Sequence, residues 1–98
     1  MPYLGVRIMR DTRLIEAKLH GLDIPENINV DEFKQHVDKT VSRGNVIGLT
    51  NAELCQTIAD SLVVLYSDKK EIRWAECHII NADGIMYGFA AIDEDNDE

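Results

Sequence analysis

Basic residues are scarce in this chain: 10 Lys and Arg stand against 18 Asp and Glu, for a formal charge of −8 and a pI near 4.7. That balance excludes a surface built to grip nucleic-acid phosphates or anionic membrane. Cysteine is also sparse. Cys55 and Cys77 are the only two. Both sit in apolar stretches, which reads as two core thiols rather than a disulfide framework. No apolar run reaches the 18 residues of a membrane-spanning helix. The N-terminal Met1-Pro2-Tyr3-Leu4-Gly5-Val6-Arg7 has no apolar segment of signal-peptide length, so the expected location is the cytoplasm. No internal repeat is visible.

What the chain does have is acid, concentrated at its end. Five of the last six residues are acidic, Asp93, Glu94, Asp95, Asp97 and Glu98, which leaves a net −3 on the other 92. Ninety-eight residues make one domain, expected over 1–92, with 93–98 as an acidic C-terminal tip. A domain of this size buries its surface only marginally, so a homo-oligomer is an open option.

Tyr3 to Met9 is rich in β-formers and predicts a strand. Arg13 to His20 alternates Ile15, Ala17 and Leu19 with Glu16 and Lys18, which favours a second strand paired with the first over a helix. Asn29-Val30-Asp31-Glu32 has the spacing of a helix capping box, and Val30, Phe33, Val37 and Val41 follow as a helical stripe that Gly44 is expected to end. Thr50-Asn51-Ala52-Glu53 is a second capping box. It opens a wider apolar helix, from about Asn51 to Tyr66, which should form the centre of the core. Ile72 to Ile80 and Ile85 to Ile92 predict a hairpin around Asn81-Ala82-Asp83-Gly84. The hairpin's register decides which face each side chain takes. A two-residue Asp83-Gly84 turn places Tyr87 and Phe89 beside Trp74, Glu76 and His78. A three-residue loop places them with Ala75, Cys77 and Ile79, and is preferred because it gives the cleaner apolar face.

The expected fold is therefore α+β: one antiparallel sheet with two helices on one face, in the order β-β-α-α-β-β. The uncovered face would hold Trp74, Glu76, His78 and Ile80, with Met86 nearby, as an exposed strip of the kind found at protein interfaces. Glu76 and His78 point the same way and could orient a general base, but two groups do not make a metal site. No His-x-x-x-His, Cys-x-x-Cys, P-loop or nucleophile-elbow spacing is present, so neither metal nor cofactor is expected.

Two resemblances bear on an enzymatic reading. Pro2, followed by the short strand Tyr3-Leu4-Gly5-Val6-Arg7-Ile8, is similar to the start of the tautomerase superfamily, which implies an N-terminal proline as catalytic amine. The β-β-α-α-β-β order, with a Glu-bearing helix over Thr50 to Tyr66 leading into the strand Ile72 to Ile80, resembles the tunnelling fold of pterin- and purine-handling enzymes. That resemblance implies Glu53 or Glu76 as the anchor of a purine- or pterin-like ring. The chain is short for that family and lacks its zinc-binding histidines.

With no complete catalytic set, the favoured expectation is a non-enzymatic inhibitor of immunity, antitoxin or anti-defence type. Its acidic surface would cover the basic, nucleic-acid-binding site of a protein partner, with no nucleic acid or membrane bound directly. Trp74, Glu76 and His78 would anchor it, and Asp93, Glu94, Asp95, Asp97 and Glu98 would supply charge. The alternative is a small oligomeric enzyme of tunnelling-fold or tautomerase-like type, acting on a small ring.

Overall fold

A computed structural model describes residues 3–22, 24 and 27–92. They form β1 (Tyr3–Arg10), β2 (Arg13–Gly21), α1 (Val30–Ile47), α2 (Asn51–Leu65), β3 (Ile72–Asn81) and β4 (Gly84–Ala91). The four strands make one antiparallel sheet in the order β1-β2-β3-β4, with both helices on one face. This is the β-β-α-α-β-β layout that the hydrophobic patterning predicts. The segment from Arg13 is a strand, as its alternation favoured. The hairpin it forms with β1 departs from the strand-helix-strand that a tautomerase resemblance implies. Pro2 itself lies outside the described residues, as do the acids of the tip.

The core fills the space between sheet and helices. Ile15, Leu19, Cys77 and Ile79 from the strands meet Phe33, Val37, Leu54, Ile58 and Leu62 from the helices, all essentially without solvent contact. Both thiols are buried and free. Its hydrogen bond with Cys55, then burial, push the Cys77 thiol up, so it stays protonated.

Local chemistry sets the helix ends. Thr50 Oγ1 accepts from Glu53 N at 3.1 Å and Glu53 Oε1 accepts from Thr50 N at 2.9 Å, a complete capping box. At α1 only half of the expected box forms: Asn29 Oδ1 accepts from Glu32 N at 3.0 Å. Gly44 does not end α1. It lies inside the helix, where an added Cβ would fall 2.6 Å from Leu54 Cδ1, so it lets the two helices approach. Gly48, at φ 77°, is the actual left-handed cap.

The preferred hairpin register is overturned. Asn81 pairs with Gly84, so Ala82-Asp83 is a two-residue turn, and Asn81 Oδ1 accepts from Asp83 N at 2.9 Å. His78 then faces Tyr87, Glu76 faces Phe89 and Cys77 faces Gly88. The reason lies in the helical layer. A Cβ on Gly88 would come within 2.4 Å of the Cys55 carbonyl, so α2 rests directly on the β4 backbone. Only the Gly88 parity leaves room for that contact. Tyr87 and Phe89 must therefore point to the open face. Gln56, one residue on from Cys55, pairs its amide with the Phe89 main chain: Nε2 donates to the carbonyl at 2.7 Å, and Oε1 accepts from the N–H at 3.4 Å.

Candidate ring-binding face

The open face is laid out by strand register. One row runs Tyr3, His20, Trp74, Ala91 across the four strands, and the next Gly5, Lys18, Glu76, Phe89. A third runs Arg7, Glu16, His78, Tyr87, and the last Met9, Leu14, Ile80, Ile85. Alternation on each strand puts these side chains opposite the core.

The best-defined group on this face is Glu76. His20 Nε2 lies 2.7 Å from Glu76 Oε2, and the two side chains are only 20% and 13% exposed. His20 is held flat on Trp74, with ring centroids 3.8 Å apart and planes 2° from parallel. Phe89 leans against Trp74 from the other side at 5.1 Å, and Tyr3 flanks His20 at 5.6 Å. One strip of rings thus contributes a side chain from every strand. Beyond Glu76, the His78 ring lies 4.8 Å from Tyr87. Partial desolvation, then the Glu76 charge and a hydrogen bond to Glu76, raise the Tyr87 phenol above its ordinary value. The phenol therefore stays protonated beside that carboxylate. Glu76 sits between two ring pairs, Trp74 with Phe89 and His78 with Tyr87. His20 Nε2 donates to its Oε2.

The remaining charges on the face pair off. Arg7 Nε meets Glu16 Oε2 at 2.7 Å, and Lys18 Nζ stands 5.1 Å over the Tyr3 ring. Trp74, Glu76 and His78 share this face, as the sequence predicts. Their contacts differ from that expectation, because Glu76 bonds to His20 while His78 packs on Tyr87. Trp74 is sandwiched between His20 and Phe89, so it is not a free apolar anchor. Met86 pairs with Ile79 and has the covered-face parity. Asp93, Glu94, Asp95, Asp97 and Glu98 lie outside the described residues.

His20, Tyr87 and Phe89 are the site residues that sequence reasoning missed. The only signal was parity: Glu16, Lys18 and His20 alternate with the β2 core residues, but placing His20 beside Glu76 needs the β2–β3 register. No cluster of three or more His, Cys, Asp or Glu among the described residues could hold a metal. His36 lies in the helical layer, 3.0 Å from Ser61 Oγ, and His20 is engaged by Glu76, so the three histidines do not converge. Among the described residues, no helix is long and apolar enough to cross a membrane.

No protein-family model and no curated protein matches the sequence. A solved structure does match: a dihydroneopterin aldolase from Burkholderia thailendensis bound to guanine. It superposes with a TM-score of 0.61 over 95% of this chain and 91% of that one, at 18% identity. This likeness overturns the inhibitor reading and, with it, the basic protein partner and the nucleic-acid mimicry. Among the described residues, the acids of the open face are paired, Glu16 with Arg7 and Glu76 with His20. In fold, the chain is similar to this aldolase structure, which holds guanine.

Proposed function

We propose that this chain is one subunit of an oligomeric tunnelling-fold protein that binds a small planar ring of purine or pterin type. The observation that carries the proposal is Glu76, a largely buried carboxylate set between aromatic pairs on an otherwise open sheet face. Rings two residues apart on β4 stand about 7 Å from each other. A planar ligand needs about 3.5 Å on each side. Tyr87 and Phe89, both about half exposed, have the spacing to take a heterocycle between them. Its N–H donor would bond to Glu76. The guanine in the similar aldolase structure is a ring of this class.

His20, stacked on Trp74, holds the Glu76 carboxylate from the β2 side and so fixes the acceptor that a bound ring would meet.

Glu53 is the other carboxylate that the family resemblance implies. A specific observation favours it as a second reading. It stands in the first turn of α2, one turn before the Gln56 amide that meets the β4 edge, with its Oε1 bound to Thr50 N. A ring bound there would be completed by a neighbouring subunit.

Calorimetry with guanine and pterin tests both. Binding is expected in the wild type, with at least a tenfold loss in Glu76→Gln and little change in Glu53→Gln, since a charge-assisted hydrogen bond contributes about 1.5–3 kcal/mol. The reverse pattern would move the site to Glu53. No binding by either ring would sink the proposal.

A further inference from the structure

We propose that the groove beside the turn from α2 to β3 is a docking surface for an acidic peptide segment, and that the segment is the chain's own residues 93–98. Cations are scarce in this sequence, 10 in 98 residues, yet Lys69, Lys70 and Arg73 fall within five positions of one another. All three line one groove of about 300 Å³, together with Ser67, Ile72 and Ile92. Asp68 and Glu71 belong to the same turn, but the residues that line the groove are cationic, apolar or, at Ser67, neutral. The turn is closed from within. Lys69 N–H donates to the Tyr66 carbonyl at 3.0 Å, and Ile72 N–H donates to the Lys69 carbonyl at 3.1 Å. The main chain that carries both lysines is thereby held between the end of α2 and the start of β3.

Ile92 points to the occupant. Its N–H donates to the Arg73 carbonyl at 2.9 Å, and its side chain packs against the core. The chain is thus anchored in the groove wall one residue before Asp93. Consecutive Cα atoms stand about 3.8 Å apart and six extended residues span at most about 22 Å, so Asp93, Glu94, Asp95, Asp97 and Glu98 are tethered close to the three cations. Such a tether sets an effective concentration of acid at the groove on the order of millimolar. An acidic segment of any other molecule must exceed that to compete. Self-repulsion alone predicts the reverse effect of the tip. The chain carries −8, and neutralising the five acids leaves −3, which by itself should stabilise the fold. Docking predicts that the same change destabilises it.

Thermal unfolding of the full chain at low salt tests this. Asp93→Asn, Glu94→Gln, Asp95→Asn, Asp97→Asn and Glu98→Gln together should lower Tm by about 3 °C or more, because several exposed ion pairs are lost from a small domain. The drop should shrink by at least half when Lys69→Gln and Lys70→Gln are already present, and likewise at about 0.5 M salt. No drop in the otherwise wild-type chain, or a drop that either condition leaves more than half intact, would overturn the proposal. The coupling between tip and lysines should also be independent of protein concentration. A coupling that appears only at high concentration would assign the groove to the tip of a second copy and overturn docking within one chain.

Discussion

Replacing Gly88 with alanine should destabilise the protein far more than one methyl group suggests. The Gly88→Ala Cβ would fall 2.4 Å from the carbonyl carbon and oxygen of Cys55 and 2.6 Å from Gln56 N. Carbon atoms in favourable contact stand about 3.5 Å apart or more, so α2 has to lift by about 1 Å. These neighbours are helix backbone and cannot swing aside as a side chain does. Lifting α2 also loosens Leu54, Ile58 and Leu62, all fully buried against the sheet. Overpacking costs about 1–3 kcal/mol, and the upper end applies where backbone must move. In a domain of this size each kcal/mol shifts Tm by about 4–8 °C. Thermal unfolding followed by circular dichroism should therefore fall by about 12 °C or more. Gly5→Ala is the control, since its nearest neighbour is Lys18 Cγ at 3.2 Å on a flexible side chain. Its Tm should move by less than about 4 °C, the equivalent of about 1 kcal/mol. If Gly88→Ala melts as close to wild type as Gly5→Ala does, α2 does not rest on β4 as described.

Three further outcomes are expected. Thr50→Ala removes the capping-box acceptor of Glu53 N and should cost about 1 kcal/mol in urea unfolding; an unchanged midpoint would contradict the box. Burial first, then Arg43 and Lys39, lower the His36 pKa below its ordinary 6.5. The stability it contributes is then complete above pH 6.5 and lost as pH falls through its lowered folded value, so the urea midpoint should drop less between pH 7.5 and 5.5 in His36→Gln than in wild type. Tyr87→Phe keeps the aromatic face that would stack on a ligand, so ring ligands should bind within about threefold of wild type by calorimetry; a loss of about tenfold or more would mean the hydroxyl touches the ligand.

The fold was largely readable from periodicity. Ile15, Ala17 and Leu19 announce a half-covered strand, and the Thr50–Glu53 spacing marks where α2 begins. Reading failed where a glycine's role depends on what lies across from it. Gly44 looks like a helix stop, but Leu54 needs its missing side chain. Gly88 gives no local sign that a helix lies on it, and apolar counting alone favours burying Tyr87 and Phe89. Half the site failed for the same reason. Trp74, Glu76 and His78 share a strand, so their common direction is local information. His20 is 56 residues from Glu76, and only strand pairing brings them within 2.7 Å.

The Gln56 amide has a consequence for how copies meet. A strand approaching the free side of β4 finds its main chain already satisfied at Phe89 by a side chain of the same molecule. Chance pairing along that edge is discouraged, because an incoming strand must first evict the amide. An assembly that joins there has to supply main-chain bonds along enough of the strand to outcompete one glutamine. The residue thus acts as a threshold, which favours long, well-registered contacts between subunits over short, promiscuous ones.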